Sequence, residues 1–299
     1  MGALSSIETE TVERAAEEPM LDHVLAWAAV NSGSRNLAGL ERMADLLVDA
    51  FSALPGVLRL DAPAPVEAID SAGHTVAVEH GRHLHLTVRP TAPVQLLLTG
   101  HMDTVFAPDH PFQETRWIEE GVLNGPGVAD MKGGIAVMLA ALKAVERSAV
   151  ADRIGYEVVI NSDEEVGSPA SAALLAQAAR GKLAALTYEP AALPDGTLAG
   201  ARPGSGNFSF VVHGRSAHAG RNPEDGRNAL LAAADLALHL AAARYPGLSV
   251  NPSRIDGGSP TNVVPDLAVL RVNLRPRGPD DEQRATELID TAVSAIAAE

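Results

Sequence analysis

A histidine and several carboxylates directly follow apolar runs of the sequence, where they could bind a metal. His101 and Asp103 come after VQLLLTG, and Asp163, Glu164 and Glu165 come after IGYEVVIN. The chain has no cysteine, so any metal must be held by imidazole and carboxylate groups. Three adjacent carboxylates repel one another unless a cation lies among them. A solvated acidic loop that caps the next helix is the alternative, and this pattern alone leaves both open.

Two further acidic residues have comparable positions. Asp130 lies in the glycine-rich segment GPGVADMKGG, and Glu189 follows the apolar run LAALTY. Glycines allow a backbone to turn tightly and to approach a ligand closely, although a plain turn explains Asp130 equally well. Asp103 is placed to accept the imidazole N–H of His101, which would make the ring a better ligand. Of two adjacent glutamates, one could bind a metal while the other takes a proton from water.

Strands that alternate with helices must position these side chains. Apolar spacing predicts helices at 21–30, 37–54 and 135–145, strands at 94–100, 154–161 and 183–188, and a hairpin at 74–88. This order favours an α/β fold with a largely parallel sheet. Ligands bind beyond the carboxyl ends of the strands in such sheets. We therefore expect the histidine and the acidic residues to converge there.

A second pattern begins at loop-like residues 203–206. It predicts β-α-β-β-α over the rest of the chain, which is a ferredoxin-like unit without its sixth element. We therefore expect a catalytic domain at 1–202 and an incomplete α+β lid and dimerisation domain at 203–299. A sheet that lacks a strand leaves an unpaired edge, so we expect the chain to end within this domain.

Charge and hydropathy exclude several partners. The formal net charge of −15 opposes binding to nucleic acid or to an anionic membrane. No apolar run approaches the roughly 20 residues that span a bilayer. The acidic N-terminus lacks the basic and then apolar order of a secretory signal. These features predict a cytoplasmic protein.

The ordered motifs of the chain, from about residue 20 onward, resemble those of the M20 zinc metallopeptidases and amidohydrolases. This family includes glutamate carboxypeptidases, acetylornithine deacetylase and succinyl-diaminopimelate desuccinylase. The matching segments are GHMDTV (100–105), GPGVADMKGG (125–134), NSDEEVGS (161–168), YEP (188–190), VHGRSAHAG (212–220), NPEDGRNAL (222–230), TNVVPD (261–266) and VNLRP (272–276). A set of motifs in matching order is far more specific than any one of them.

The resemblance implies two zinc ions, with cobalt or manganese as alternatives. It makes Asp130 the bridging ligand, assigns His101 and Glu189 to one ion, and assigns Glu165 to the other. It also implies a role for five residues beyond the metal ligands. By resemblance Glu164 is the general base, Asp103 supports His101, His218 stabilises an oxyanion in the neighbouring subunit of a homodimer, and Asn262 and Arg275 bind substrate.

The function implied is hydrolysis of the amide bond of a peptide or N-acyl amino acid, with release of an amino acid. Similarity is strongest to the glutamate carboxypeptidases, with an N-acyl amino acid deacetylase as the alternative. No histidine follows His239, so the resemblance leaves the Glu165 metal without its C-terminal histidine. A fragment, completion by another chain, or a non-catalytic binding homologue would each explain this, and intact Glu164 favours the fragment. A nucleotide-binding enzyme is the weakest reading, because the glycine pairs lack a dinucleotide fingerprint.

Overall fold

The chain contains seven α-helices and twelve strands within residues 4–200 and 202–298, which the computed structural model describes. The helices are α1 (Ser6–Ala16), α2 (Met20–Ala28), α3 (Leu37–Phe51), α4 (Gly133–Glu146), α5 (Ala172–Ala178), α6 (Ala229–Ala242) and α7 (Pro279–Ala298). The strands are β1 (Val57–Asp61), β2 (Val66–Ile69), β3 (Thr75–Val78), β4 (His83–Val88), β5 (Val94–His101), β6 (Arg116–Glu119), β7 (Val122–Asn124), β8 (Ile154–Asn161), β9 (Ala184–Thr187), β10 (Gly206–His213), β11 (Leu248–Gly257) and β12 (Leu267–Pro276). No helix in these ranges is long and apolar enough to cross a membrane.

The first of two units comprises Met1–Val66 and Val78–Asp195 and is built on a five-stranded sheet of order β1-β4-β8-β5-β9. Strand β5 runs parallel to β8 and β9, whereas β4 runs antiparallel to both β8 and β1. The predicted α/β class is confirmed, but the sheet is mixed rather than largely parallel. No helix lies between β1 and β4, and strands without a helical crossover pair antiparallel.

Helices α2, α3 and α4 supply much of the main core of this unit, together with the central strands. Trp27, Met43 and Phe51 are almost fully buried and belong to the same cluster as Leu84 and Ile160. On β8, residues near the strand end are buried one after another, as expected for a central strand covered on both faces. A smaller cluster on β5, β8 and α5 includes Leu97 and Val159. The strand ends are therefore held by a packed and rigid sheet.

Two features of the first hundred residues differ from the sequence prediction. The polar N-terminal segment contains α1, whose start is a capping box in which the Ser5 hydroxyl accepts the N–H of Glu8 and the Glu8 carboxylate accepts the N–H of Ser5. The hairpin predicted at 74–88 is wrong. Strand β3 pairs with β2, and β4 pairs with β1 in the central sheet.

The second unit comprises Glu67–Ala77 and Gly196–Glu299. Its three-stranded sheet has the order β10-β12-β11, and both neighbours of β12 are antiparallel to it. Helices α6 and α7 pack on this sheet through residues such as Leu236, Leu240 and Ala292. The elements follow the predicted order β-α-β-β-α. The division between the units falls at Asp195 rather than 202, and the 67–77 hairpin joins the second unit, which the sequence did not indicate.

Candidate metal centre

The carboxyl ends of three parallel strands bring the predicted residues of the first unit together. His101 is the last residue of β5 and pairs with Asn161, the last residue of β8. Strand β9, which leads to Glu189, lies on the other side of β5. The loop with Asp130 approaches because Gly134, in the first turn of α4, lies against the backbone of Tyr188, where an added Cβ would be 1.9 Å from the Tyr188 carbonyl oxygen. A side chain at Gly134 would therefore separate this loop from the strand that carries Glu189.

The Nε2 atom of His101 faces three carboxylates. It lies 2.9 Å from Asp130 Oδ1, 3.5 Å from Glu189 Oε1 and 4.0 Å from Glu164 Oε2. The histidine side chain is 1% exposed, whereas that of Asp130 is 55% exposed, so the carboxylates are open to solvent on one side. Two groups of residues have potential ligand atoms that all lie within 4.8 Å of one another, namely His101–Asp130–Glu165 and His101–Glu164–Glu189.

Asp103 connects the histidine to the loop that carries the two glutamates. His101 Nδ1 lies 3.0 Å from the backbone oxygen of Asp103 and 3.4 Å from its Oδ1, so Nδ1 is a donor and Nε2 is the ring atom that faces the carboxylates and would bind a metal. The Asp103 carboxylate also accepts the backbone N–H of Glu164 at 3.1 Å and that of Glu165 at 3.2 Å, as well as the Ser34 hydroxyl at 2.7 Å. A single buried carboxylate thus orients both the imidazole and the glutamate loop.

We expect Asp103→Asn to weaken metal binding by roughly 10–100-fold, because the amide N–H₂ cannot accept the backbone N–H groups that the carboxylate accepts. Competition with a chromophoric chelator would measure the change in affinity. Asp109→Asn, which removes the same charge from an exposed position, is the matched control. Unchanged affinity in Asp103→Asn would contradict this positioning role.

Asp163 differs from its two acidic neighbours. It is fully buried, its Oδ2 accepts the N–H of Ala170 at 2.6 Å, and its Oδ1 accepts the Ser171 hydroxyl at 2.6 Å and the Asn161 amide at 3.2 Å. The run of three carboxylates therefore divides into one structural residue and two that face the centre. Neither Ser34 nor Ser171 was identified from the sequence. Ser34 is far from the motifs, and no pattern there indicates its contact with Asp103.

The charges at this site favour a bound cation. Burial alone would lower the pKa of His101, but Asp103, Asp130 and Glu189 outweigh it and raise that pKa to about 12. Burial and the nearby Asp130 carboxylate raise the pKa of Glu165 to about 7. Burial likewise raises the pKa of Glu164. Without a metal, protons must supply the positive charge that the cluster lacks, so this donor set fits a divalent cation.

The other three predicted site residues lie in the second unit. His218 and Asn262 are neighbours, because the N–H of Ala219 donates to the Asn262 backbone oxygen at 2.9 Å. His218 Nδ1 accepts the N–H of Gly220 at 3.1 Å, which leaves Nε2 as the donor of the neutral ring. Asn262 precedes the start of β12, whereas Arg275 lies near the end of that strand. Arg275 is nine residues beyond Asp266, which directly precedes β12, and nine residues correspond to roughly 30 Å along a strand. Within one copy of this unit, a small ligand does not reach both ends.

Two family models match the chain. The model described as peptidase dimerisation domain matches residues 200–299, and that described as peptidase family M28 matches residues 84–188. Carboxypeptidase G2 from a Pseudomonas species is 32% identical over 197 residues, which cover 65% of this chain and 48% of that relative. The chain is similar to peptidases of the M20 family in both its sequence and its fold.

Further relatives match over longer stretches. N-acetyl-L-citrulline deacetylase from Xanthomonas campestris is 28% identical over 265 residues, which cover 78% of this chain and 68% of that relative. The dipeptidase Dug1p from Saccharomyces cerevisiae has the same fold, with a TM-score of 0.67 at 14% identity over 97% of this chain and 76% of that structure. The chain spans about half the length of the first curated M20 relatives that it matches.

Proposed function

We propose that this chain carries the hydrolytic centre of a metal-dependent amidohydrolase that releases an amino acid from a peptide or an N-acyl amino acid. The observation that supports this most strongly is the convergence of His101 Nε2 with the carboxylates of Asp130, Glu164 and Glu189 at the strand ends. Such a cluster costs free energy through mutual repulsion and is stabilised by a cation. Amide hydrolysis is the family chemistry that uses such a cation.

The donor set supports two zinc positions. His101 and Glu189 would hold one ion, Glu165 would hold the other, and Asp130 would bridge them, since its carboxylate has two oxygens and lies beside His101. When bound, zinc supplies Lewis acidity, which polarises a carbonyl and lowers the pKa of water. The fixed Nδ1 hydrogen bond of His101 orients the ring for this role before any metal arrives.

Glu164 is proposed as the general base. Its backbone is fixed by Asp103 and its side chain is half exposed, so the carboxylate can reach a water beside the scissile carbonyl. It would accept a proton from that water and deliver it to the leaving nitrogen. Glu164 also groups with His101 and Glu189 as a potential metal ligand, so a substitution at residue 164 is assayed for metal content as well as for activity.

The second unit would contribute to catalysis from a neighbouring copy in a homodimer. The Nε2–H of His218 is exposed and suited to donate to a developing oxyanion. Asn262 lies beside it, and an exposed arginine such as Arg275 can bind a substrate carboxylate in a bidentate fork. The match to a peptidase dimerisation domain over residues 200–299 supports this arrangement.

The scissile group is proposed to be the amide of an N-acylated or peptidyl amino acid, as the name carboxypeptidase suggests for the Pseudomonas relative. Deacetylation is the second candidate, because the N-acetyl-L-citrulline deacetylase alignment covers more of this chain. The two differ in the group that is removed, so a panel of N-acyl glutamates, N-acetyl amino acids and dipeptides separates them.

Removal of the metal is expected to reduce release of the amino acid to background, because the carboxylate cluster alone cannot polarise the amide. The measurement is amino acid release from this panel before and after dialysis against a chelator, and again after addition of zinc. Elemental mass spectrometry on the same samples reports the metal bound. Activity that survives complete metal removal would rule out the proposed function.

A further inference from the structure

A fully buried lysine lies two residues beyond Asp130 in the chain. Lys132 is 1% exposed and directly precedes α4. The other two lysines of the chain, Lys143 and Lys182, each form an ion pair with a glutamate. The Lys132 ammonium instead donates to the backbone oxygen of Val30 at 3.0 Å. Removal of an ammonium from water costs free energy that one carbonyl only partly offsets, so stability alone does not explain a lysine at this position.

The acceptor of this hydrogen bond belongs to a short segment that contacts both sides of the candidate metal centre. Residues 30–34 follow α2. At one end of the segment, the Ser34 hydroxyl donates to Asp103 Oδ2 at 2.7 Å. At the other end, the Val30 carbonyl accepts the Lys132 ammonium. The segment therefore joins the carboxylate that supports the histidine ligand to the loop that carries the proposed bridging carboxylate.

The loop with Asp130 is anchored by the two buried residues that follow it. Met131 is fully buried, and its Sδ accepts the N–H of His101 at 3.2 Å. The N–H of Lys132 donates to the Gly127 backbone oxygen at 2.8 Å. Gly127 has a φ of +71°, and an added Cβ would lie 3.0 Å from Lys132 Cδ, so only glycine lets the loop close around the lysine stem. The half-exposed Asp130 carboxylate thus depends on these two neighbours for its position.

We propose that Lys132 is a positioning residue for metal binding, whose ammonium holds the Asp130 carboxylate beside His101 Nε2 through its hydrogen bond to the Val30 carbonyl. Groups that orient metal ligands from behind affect metal affinity although they do not touch the metal. The inference deepens the proposed function and rests on it for the identification of Asp130 as a ligand. Lys132 contacts neither metal nor substrate in this role and acts only through the loop.

Zinc affinity of Lys132→Met tests this role without any hydrolysis. Methionine nearly preserves the apolar stem of lysine and lacks the ammonium. In competition with a chromophoric chelator, we expect Lys132→Met to bind zinc about tenfold more weakly than the unmutated chain. Lys182→Met is the matched control, because it removes another largely buried ammonium from the same unit and breaks the 2.7 Å ion pair with Glu157. It should lower stability and leave zinc affinity unchanged.

Chemical restoration of the charge separates positioning from packing. The chain has no cysteine, so Lys132→Cys carries a single thiol that can be alkylated in the unfolded state before refolding. Bromoethylamine restores an ammonium at nearly the length of lysine, whereas iodoethane adds an ethyl group without the nitrogen. We expect the aminoethyl form to bind zinc as tightly as the unmutated chain. The ethyl form should bind about tenfold more weakly, because its loop lacks the ammonium contact.

Hydrogen exchange of the metal-free chain reports on the loop itself. Loss of the ammonium contact in Lys132→Met should accelerate amide exchange within residues 125–134 by about tenfold, which corresponds to the loss of one hydrogen bond. The same residues of Lys182→Met should exchange as in the unmutated chain. Circular dichroism shows whether each variant is folded.

Zinc affinity of folded Lys132→Met equal to that of the unmutated chain, or an equal loss of affinity in Lys182→Met, would overturn the inference. Equal affinity of the aminoethyl and ethyl forms would also overturn it, because packing alone would then explain the lysine. Amino acid release distinguishes this failure from that of the proposed function. Zinc binding that depends on Lys132 in a chain without hydrolysis contradicts only the hydrolase.

Discussion

Replacement of Glu164 by glutamine is expected to lower kcat by roughly 10²–10⁴-fold, which is the usual contribution of a general base. The amide has nearly the shape of the carboxylate, so the packing around residue 164 is preserved. Its backbone hydrogen bond to Asp103 does not involve the side chain and should persist. The variant should therefore fold normally and retain its metal, with the loss confined to the chemical step. Initial rates with an N-acyl glutamate, together with metal content on the same preparation, measure both quantities.

Glu165→Gln is the matched comparison, because residue 165 is proposed as a ligand and belongs to the other potential ligand group. We expect this variant to lose metal as well as activity. If Glu164→Gln loses metal to the same extent, Glu164 is a ligand and the base lies elsewhere. If Glu164→Gln is as active as the unmutated chain, the assignment of the base fails regardless of metal content.

Asp163→Ala is expected to destabilise the first unit by about 3 kcal/mol or more, because three hydrogen bonds to a buried carboxylate are lost and their donors lose this acceptor. For a unit of this size the loss corresponds to a Tm roughly 6–12 °C lower. The donors are the N–H of Ala170, the Ser171 hydroxyl and the Asn161 amide. Urea unfolding, followed by the fluorescence of buried Trp27, reports the free energy of unfolding.

The control for this prediction is Asp109→Ala, which removes an exposed carboxylate from the same unit and should change the free energy of unfolding by less than about 0.5 kcal/mol. An Asp163→Ala variant as stable as this control, but without metal, would identify Asp163 as a ligand. That result would contradict the structural role given to it by its hydrogen bonds.

The regular elements could be predicted from the sequence wherever the apolar spacing was long and continuous. Strand β8 has the predicted bounds, and α3 and α4 lie where the helical spacing indicated. The β3 and β4 segments were assigned to one hairpin because both alternate, and alternation does not identify the partner of a strand. The start of α1 had a readable S-x-x-E capping signal, but its polar composition obscured the helix.

At the site, the residue types could be predicted from their spacing, whereas their separate roles came from the resemblance alone. Resemblance and spacing both singled out the residues that surround His101 Nε2. The spacing did not distinguish Asp163 from Glu164 and Glu165, the resemblance gave roles to the two glutamates only, and the burial of Asp163 separates it from them. The contact between Ser34 and Asp103 joins residues far apart in the chain, and such a pairing leaves no local pattern. The ligand roles themselves stay predictions until metal binding is measured.

The contacts of Asp103 affect how the first unit tolerates amino acid substitutions. Its carboxylate touches the His101 ring, two backbone groups of the glutamate loop and Ser34 at once. Substitutions among these partners should therefore be strongly epistatic, because each alters the geometry on which the others depend.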